Sequence, residues 1–320
     1  MANTRLKGAP RWLVKRGTGL LLLLLILVGG GAWGYDTYAS GRALTDYPAP
    51  GRFVEVSGAK MHYVCQGAGE PTLVLEAGFA GGELDWAPIL PALSQHHRVC
   101  AFDRLGQDWS DPAPRSDARS FGTAAEELHS ALLALGVERP VVVGHSLGGA
   151  LAQVYAAKYD VAGVVLVEGL TVDVVDPVVE RLGSYRTLGL LARLGLLRPL
   201  GSLMVAPGYP APIRDEMLAL RSRSQSLLNV SDEGAVAQRS AGAELRAAEP
   251  LMRGPLLVIA AGQSDVPGLP AGAFVRAEQA LSERKPHSTY VVVPGAGHYV
   301  QAERPAAVVG AIERWLTGLQ

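Results

Sequence analysis

Residues 140–148 decide the fold of this chain, and they run Pro140-Val141-Val142-Val143-Gly144-His145-Ser146-Leu147-Gly148. The first four predict a strand that ends at Gly144, and Leu147–Lys158 predicts a helix that begins directly after the serine. Glycines two residues before and after Ser146 suit a turn so sharp that a side chain at either place would collide with a neighbouring element. The pattern G-x-S-x-G between a strand and a helix is that of a nucleophile elbow. Ser146 is therefore the candidate nucleophile.

Strand and helix patterns alternate on both sides of this turn. The later strand patterns are rich in Val, Leu and Ile without polar alternation, which is typical of parallel strands covered by helices on both faces. The sequence therefore predicts an α/β fold. The predicted strands are Arg52–Val56, Lys60–Gln66, Thr72–Glu76, Arg98–Phe102, Val141–Val143, Val164–Val167, Leu256–Ala260 and Thr289–Val293, and the predicted helices are Trp86–His96, Thr123–Leu135, Leu147–Lys158, Phe274–Leu281 and Pro305–Leu316.

One long segment, residues 171–250, interrupts this alternation. It contains helix-like patterns without a clear strand, which predicts an inserted helical cap. Within it, Leu190, Leu191, Leu194 and Leu197 fall on one face of a predicted helix. That face either packs the cap onto the core, or it lines an acyl-binding pocket or touches lipid. Both interpretations stay open, because a cap helix has two sides.

A base and an acid are needed beside the serine, since a hydroxyl is a weak nucleophile until its proton is removed. His298 follows the last predicted strand, at the sheet edge where parallel α/β folds place their sites. The base in turn needs a carboxylate that holds its tautomer. Asp265 is the preferred acid because it gives the chain order Ser, Asp, His. Glu168, which follows the preceding strand, is the alternative acid.

The negative charge that develops during attack on a carbonyl requires backbone N–H donors. Leu147 supplies one from the position directly after the nucleophile. The loop Glu76-Ala77-Gly78-Phe79 supplies the other, which we assign to Phe79. The sequence implies no metal and no organic cofactor, because no clustered Cys, His and carboxylate residues have the spacing of metal ligands.

The first 35 residues differ in kind from the rest. Five basic residues, Arg5, Lys7, Arg11, Lys15 and Arg16, precede Gly17–Gly34, an uncharged run of about 18 residues that is close to the length needed to cross a bilayer. Trp12, Trp33 and Tyr35 flank the run, as interfacial aromatic residues do. We expect a transmembrane anchor in residues 1–35. A cleaved signal peptide is the alternative.

The positive flank is expected to stay in the cytoplasm, so the rest of the chain would lie outside it. Residues 36–50 are expected to form a polar linker before the main domain, residues 51–320. The protein would be a single-pass membrane protein, or a secreted one if the N-terminal segment is cleaved. The composition is that of a globular protein, with 48% hydrophobic residues and a formal net charge of −1. This balance argues against nucleic acid as a main partner, because phosphate binding requires concentrated positive charge.

Residues 50–320 resemble the α/β-hydrolase family over nearly their whole length. The segments that carry the resemblance are, in family order, LVLEAGFAG, RVCAFDRLGQDWSD, VVVGHSLGG, VVLVEG, LLVIAAGQSD and VPGAGHYVQAERP. The resemblance implies an eight-stranded, mostly parallel sheet with an antiparallel second strand and a helical cap after the sixth strand. It also implies hydrolase chemistry, since members that look like this chain include esterases and lipases.

The chain departs from the family in the turn after the fourth strand, where similar members often carry D-R-x-G-x-G-x-S. Residues 103–110 have Asp108 at the second glycine position. We expect Asp103 and Arg104 to brace this turn, and Asp108 to change the pocket shape or the backbone geometry there.

The family's sheet order would also bring Cys65 and Cys100 together on neighbouring strands. In an exported domain the two thiols could form a disulfide. Two buried free thiols are the alternative.

With the resemblance, these residues predict a serine hydrolase that cleaves carboxylic esters through an acyl-enzyme. The apolar cap and the membrane segment favour a lipophilic small-molecule substrate, although a fold does not fix a substrate. Peptidase, thioesterase, perhydrolase and acyltransferase chemistry would use the same residues. A non-catalytic ligand-binding protein on the same fold is the alternative from another class.

Overall fold

Eight strands form a single sheet at the centre of the computed structural model, which describes residues 11–114, 119–183, 189–206, 208–264, 266 and 269–319. The strands are β1 (Arg52–Val56), β2 (Ala59–Gln66), β3 (Leu73–Glu76), β4 (Val99–Phe102), β5 (Val141–His145), β6 (Gly163–Val167), β7 (Leu256–Ala261) and β8 (Ser288–Val293). Their order is β1-β2-β4-β3-β5-β6-β7-β8. Strand β2 is antiparallel to both of its neighbours, and the other pairs are parallel. The expected eight-stranded, mostly parallel sheet is confirmed.

Helices cover both faces of this sheet, and the described residues between β6 and β7 form helices joined by turns, without a strand. The helices are α1 (Arg11–Asp46), α2 (Leu90–Leu93), α3 (Phe121–Ala134), α4 (Leu147–Lys158), α5 (Val175–Gly183), α6 (Gly189–Arg193), α7 (Ala211–Arg221), α8 (Ser224–Val236), α9 (Gly242–Ala248), α10 (Ala273–Arg284), α11 (Val300–Glu303) and α12 (Pro305–Thr317). Short 3₁₀ turns lie at Glu83–Trp86, Arg198–Met204 and Glu249–Leu251, and a π-helical turn joins α8 to α9. The helices α5 to α9 form the inserted cap, as expected.

The hydrophobic core lies in two layers, one on each face of the sheet. Every residue of β3, β5, β6 and β7 is buried, which explains why their sequences lack polar alternation. Tyr155 of α4 and Phe274 of α10 are the large side chains of one layer. Trp86 and Trp315 fill the layer on the opposite face. Burial of such large side chains, each worth about 1.5–3 kcal/mol, fixes the strand ends that carry the functional residues.

One predicted helix, Trp86–His96, is not formed as a continuous element. Only Leu90–Leu93 is α-helical, and Glu83–Trp86 forms a 3₁₀ turn before it. Pro88 lies between the two elements, and proline has no N–H to donate to a helix and clashes with the preceding turn. The apolar spacing predicts one helix, but Pro88 divides the segment into two short elements, so this prediction was wrong.

The four leucines of the cap were expected to share one face of a helix, and they do not. Helix α6 ends at Arg193, so Leu194 and Leu197 lie beyond it. Leu197 is buried, whereas Leu191 and Leu194 are about 40% exposed. The side chain of Leu190 lies outside the described residues. Part of this segment therefore packs inward, and part of it faces out.

Helix α1 is longer than the expected anchor. It continues to Asp46, so the expected polar linker at residues 36–50 is helical over most of its length. Within it, Lys15–Asp46 is long and apolar enough to cross a membrane. None of its most apolar stretch of 18 residues is buried in the protein. A signal sequence satisfies the same length and composition. Beyond the apolar run, Asp36 and Ala43 are buried, which explains why the helix persists through a polar sequence.

Cys65 and Cys100 form a disulfide between β2 and β4. They are directly opposite each other in the antiparallel register of these strands. The bond joins the antiparallel edge of the sheet to the parallel part, so it links β2 to the strand that leads into the Asp103 turn.

Candidate active site

The turn between β5 and α4 holds Ser146 in a conformation that residues other than glycine rarely adopt. Its φ is 51° and its ψ is −118°. A Cβ atom at Gly144 would lie 2.3 Å from the carbonyl oxygen of Gly148, and a Cβ atom at Gly148 would lie 2.2 Å from that of Glu76. Only glycine fits at these two positions. The turn is therefore as sharp as the sequence pattern predicts, and Ser146 stands at its apex.

The imidazole of His298 lies within hydrogen-bond distance of this serine, with Nε2 3.0 Å from Ser146 Oγ. His298 is carried by the loop between β8 and α11, where the Gly297 N–H donates to the Glu303 carboxylate at 2.7 Å. His145 donates from Nε2 to the carbonyl oxygen of His298 at 2.9 Å. Burial lowers the pKa of His145 to about 3, so this ring is neutral and acts as a fixed donor. The loop that carries the candidate base is thus tied to the nucleophile turn.

The carboxylate beside the other ring nitrogen belongs to Glu168. Its Oε2 lies 3.2 Å from His298 Nδ1, and its side chain is fully buried. The Ala261 N–H donates to Oε1 at 2.6 Å, and the Ser264 hydroxyl donates to Oε2 at 2.5 Å. These donors compensate for the loss of water around a buried carboxylate. An N–H at Nδ1 that donates to Glu168 leaves Nε2 as the acceptor for the Ser146 hydroxyl.

Asp265, the preferred acid in the sequence analysis, lies outside the described residues. Glu168 directly follows β6, while Asp265 comes after the adjacent strand β7. The carboxyl ends of neighbouring parallel strands reach the same edge of a sheet, so sequence order alone cannot separate the two candidates. The contacts of Glu168 favour it as the partner of His298.

A second buried carboxyl group, that of Glu278 on α10, lies next to Glu168. The Gly169 N–H donates to Glu278 Oε1 at 2.7 Å. Burial and the charge of Glu168 raise the pKa of Glu278 well above its ordinary range. Two adjacent carboxylates do not both ionise easily in a buried site. Glu278 is therefore neutral, and it adds no second negative charge next to the Glu168–His298 contact. No sequence pattern singled out Glu278.

The loop expected to supply an oxyanion donor lies against the nucleophile. A Cβ atom at Gly78 would be 3.3 Å from Ser146 Cβ. Arg104 donates from Nη1 and Nη2 to the carbonyl oxygens of Ala77 and Gly78, each at 2.6 Å. In a trans peptide the N–H points opposite to the C=O. Fixing the Gly78 carbonyl on Arg104 therefore turns the Phe79 N–H to the opposite side of the loop.

Leu147 is the first residue of α4, so its N–H has no acceptor one turn earlier in the helix. Asp103 and Arg104 were expected to brace the turn after β4. Asp103 accepts from His62 Nδ1 at 2.8 Å and from the Trp109 N–H at 3.3 Å. Asp103 thus braces its own turn, whereas Arg104 reaches out and orders the loop at residues 77–79.

Glu233, on cap helix α8, completes this arrangement. Its Oε1 accepts from Arg104 Nε at 3.0 Å and from Arg104 Nη2 at 2.7 Å. Its Oε2 accepts from the Ala80 N–H at 2.8 Å and from Gln107 Nε2 at 3.0 Å. One cap carboxylate therefore holds both the arginine and the end of the loop. Glu233 lies more than a hundred residues from its partners, and nothing local in the sequence identifies it.

The departure at Asp108 has a structural explanation. Asp108 has φ 35°, in the left-handed region that favours glycine. Its carboxylate accepts from Arg221 Nε at 3.1 Å and from Nη2 at 2.9 Å, and Arg221 Nη2 also donates to Asp85 at 2.6 Å. All three side chains are buried. The ion pair of Asp108 with Arg221 is therefore a second buried contact, beside that of Asp85, between α7 of the cap and the main domain.

Among the residues that the structure describes, no group of three His, Cys, Asp or Glu side chains is arranged to hold a metal ion. The acyl-transfer chemistry of serine, histidine and carboxylate requires none.

Residues 71–305 match the family model for the alpha/beta hydrolase fold. A protein of Stutzerimonas stutzeri named as a candidate carbamate hydrolase, RutD, is 44% identical over 92 residues, or 28% of this chain and 34% of that protein. The chain thus spans about a third of the length of the curated relatives it matches.

Two solved structures show how far the fold is shared. The enol-lactonase from Burkholderia xenovorans is 21% identical with a TM-score of 0.67, over 83% of this chain and 100% of that one. A membrane phospholipase A, described as a bacterial virulence factor, is 21% identical with a TM-score of 0.64, over 97% of this chain and 98% of that one. At these identities the likeness shows the fold. Since the family model matches well over half of its residues, this chain belongs to the α/β-hydrolase fold family.

Proposed function

We propose that this chain is a serine hydrolase that cleaves carboxylic esters through an acyl-enzyme. The observation that carries the proposal is the continuous contact from Ser146 through His298 to Glu168, at 3.0 Å and 3.2 Å. This is the arrangement that activates a serine hydroxyl: a base removes its proton while a carboxylate holds the base and stabilises its charged form.

In the proposed mechanism the Ser146 oxygen attacks the ester carbonyl as its proton passes to His298 Nε2. The Leu147 and Phe79 N–H groups bind the oxyanion that forms. Collapse of this intermediate breaks the C–O bond, and His298 returns the proton to the leaving alcohol. A water molecule, deprotonated by the same imidazole, then attacks the acyl carbon. The bond from that carbon to Ser146 Oγ breaks, His298 returns the proton to Oγ, and the acid is released. Glu168 is the acid partner in this proposal, and Asp265 remains the alternative.

A lipophilic acyl substrate is favoured by two features of the chain. The first is the apolar part of α1, and the second is the set of exposed leucines on the cap. A phospholipase described as a membrane protein shares the fold over 97% of the chain, a share that includes most of α1. Amide, thioester and carbamate substrates, peracid formation and acyl transfer would use the same three side chains, so the substrate assay must include them.

We further propose that α1 anchors the protein in a membrane, with its N-terminus in the cytoplasm and the hydrolase domain outside. Basic residues precede the apolar run, which favours this direction of insertion. The test is an alkaline phosphatase fusion at the C-terminus together with the intact mass of the purified protein. Phosphatase activity and an uncleaved mass are expected. A mass that lacks the first 30 to 40 residues would show a signal peptide, and an inactive fusion would reverse the topology.

A fluorophosphonate probe tests the catalytic proposal directly. The wild-type protein should be labelled on Ser146, and Ser146→Ala should not be. Ser130→Ala, which removes an exposed hydroxyl on α3, is the matched control and should be labelled like wild type. Labelling of Ser146→Ala equal to that of wild type would place the reactive group elsewhere and overturn the mechanism. An unlabelled wild type would favour a non-catalytic protein. Rates on p-nitrophenyl esters of increasing acyl length, with a carbamate and an anilide alongside, would then define the substrate class.

A further inference from the structure

Five exposed leucines lie close together in sequence on the cap, in α6 and the turns that follow it. They are Leu191, Leu194, Leu196, Leu200 and Leu203, with exposed fractions from 37% to 72%. We call these five residues the cap leucine patch. Single exposed leucines are common on soluble proteins, whereas a contiguous apolar surface marks a place where something else binds.

Helix α1 packs directly beside this patch. A Cβ atom at Gly195 would lie 2.7 Å from the carbonyl oxygen of Ala32 and 2.8 Å from Asp36 Cβ. Gly195 has φ 70°, so glycine serves both the backbone turn and the close approach. The cap segment that carries the leucines is therefore in van der Waals contact with the helix.

An ion pair fixes the same contact. Arg198 donates from Nη1 to Asp36 Oδ1 at 3.0 Å and to Ser40 Oγ at 3.3 Å. Both charged side chains are less than 15% exposed, which gives the pair more weight than a solvated one. Arg198 lies within the sequence of the patch, between Leu196 and Leu200, so the leucines are held at a defined level along α1.

That level is the end of the apolar run. Leu20–Val28 is exposed throughout, and Ala32 follows Val28 by about 6 Å along the helix axis. The exposed aromatic residues Trp33, Tyr35 and Tyr38 come next, as expected where a membrane helix leaves the hydrocarbon for the headgroups. A bilayer around Leu20–Val28 would therefore place its interface at the cap leucine patch.

We propose that the cap leucine patch inserts among the lipid acyl chains at the outer interface of the bilayer that α1 crosses. This inference rests on the proposed membrane anchor. The occupant is the lipid itself, because the contacts at Gly195 and Arg198 hold the patch beside the end of the exposed apolar run of α1. Glu233 of the cap accepts hydrogen bonds from Arg104 and from the Ala80 N–H, at the loop beside Ser146. The cap is then held at the lipid surface.

The test uses the full chain in vesicles of phosphatidylethanolamine and phosphatidylglycerol, with one nitroxide label at a time. The two native cysteines are joined in the disulfide, so an introduced cysteine is the only reactive thiol. Labels at Leu203→Cys and Leu200→Cys probe the patch. Leu133→Cys, an exposed leucine on α3, is the matched control, and Leu25→Cys reports whether α1 is inserted. Accessibility to oxygen, which concentrates in lipid, is compared with accessibility to a water-soluble nickel chelate.

We expect the ratio of oxygen to nickel accessibility at residues 200 and 203 to be at least about fivefold above that at residue 133. A water-like ratio at the patch, with a lipid-like ratio at residue 25, would overturn the inference and leave the anchor intact. Low access to both reagents at the patch would mean that protein covers it, and it would also overturn the inference. A water-like ratio at residue 25 would remove the anchor and, with it, the inference. None of these outcomes depends on hydrolysis.

Discussion

His298 Nδ1 lies 3.2 Å from Glu168 Oε2, so a carboxylate that directly follows β6 contacts the candidate base. Glu168 is itself built into the nucleophile turn. The Ser146 N–H donates to its carbonyl oxygen at 3.1 Å, and the Leu170 N–H donates to that of Ser146 at 2.9 Å. The acid and the nucleophile therefore belong to one hydrogen-bonded unit, so a shift in the backbone of either residue also moves the other.

The first prediction concerns this acid. Glu168→Gln should lower kcat for a p-nitrophenyl ester by about 10⁴-fold, because an amide cannot stabilise the imidazolium and its NH₂ group favours the wrong tautomer. The measurement is steady-state kinetics, with a melting curve to verify folding. Asp265→Asn is the comparison and should change kcat by less than about 10-fold. The reverse ranking would assign the acid role to Asp265.

The second prediction concerns Glu233, which positions the loop at residues 77–79 through Arg104. Glu233→Gln should lower kcat by about 10- to 100-fold with a smaller change in KM, because a misplaced oxyanion donor costs transition-state binding. Glu180→Gln, an exposed substitution on α5, is the matched control and should behave as wild type. If Glu233→Gln instead raised KM alone, Glu233 would act on substrate binding and not on the oxyanion loop.

The third prediction concerns the buried ion pairs of Arg221 with Asp85 and Asp108, which hold α7 to the main domain. Arg221→Met should lower the free energy of unfolding by about 3–5 kcal/mol, since Asp85 and Asp108 would lose their buried cation. Urea unfolding of the detergent-solubilised protein measures the loss. Arg246→Met removes the exposed pair with Asp176, at 3.0 Å, and should cost less than about 1 kcal/mol. Equal losses for both variants would contradict a structural role for the Arg221 pairs.

The fourth prediction concerns pH. Burial and the charges of Asp103, Asp108, Glu216 and Asp85 raise the pKa of Glu83 to about 9, from an ordinary value of 4.5. The folded state therefore retains a proton that the unfolded state loses, and stability falls as pH rises between these two values. Gln resembles the neutral acid and does not titrate.

Glu83→Gln should accordingly match wild type near pH 4 and exceed its Tm by about 3 °C or more at pH 9. Thermal melts across this range, with the exposed Glu55→Gln as control, give the difference at each pH. A Tm difference that stays constant with pH would show that Glu83 does not titrate in this window.

Much of the fold was predictable from local patterns. Strands β6 and β7 were predicted within one residue of their observed bounds, because parallel strands buried on both faces are built from uninterrupted apolar, largely β-branched residues. The elbow was predictable because Gly144 and Gly148 face backbone atoms at which no side chain fits. His298 was found because it follows a strand at the one edge where the sites of such sheets assemble.

The sequence by itself thus determined the strands, the position of Ser146 and the loop that carries His298, because each depends on residues that are neighbours in the chain. Tertiary structure placed Glu168 beside His298, and it decided why Asp108 is tolerated, which cap carboxylate holds Arg104, and where α1 ends. Glu233 and Arg104 are 129 residues apart, and hydrogen bonds discriminate between distances of a few tenths of an ångström. Only the packing of the cap on the sheet sets such distances, and no local pattern encodes it.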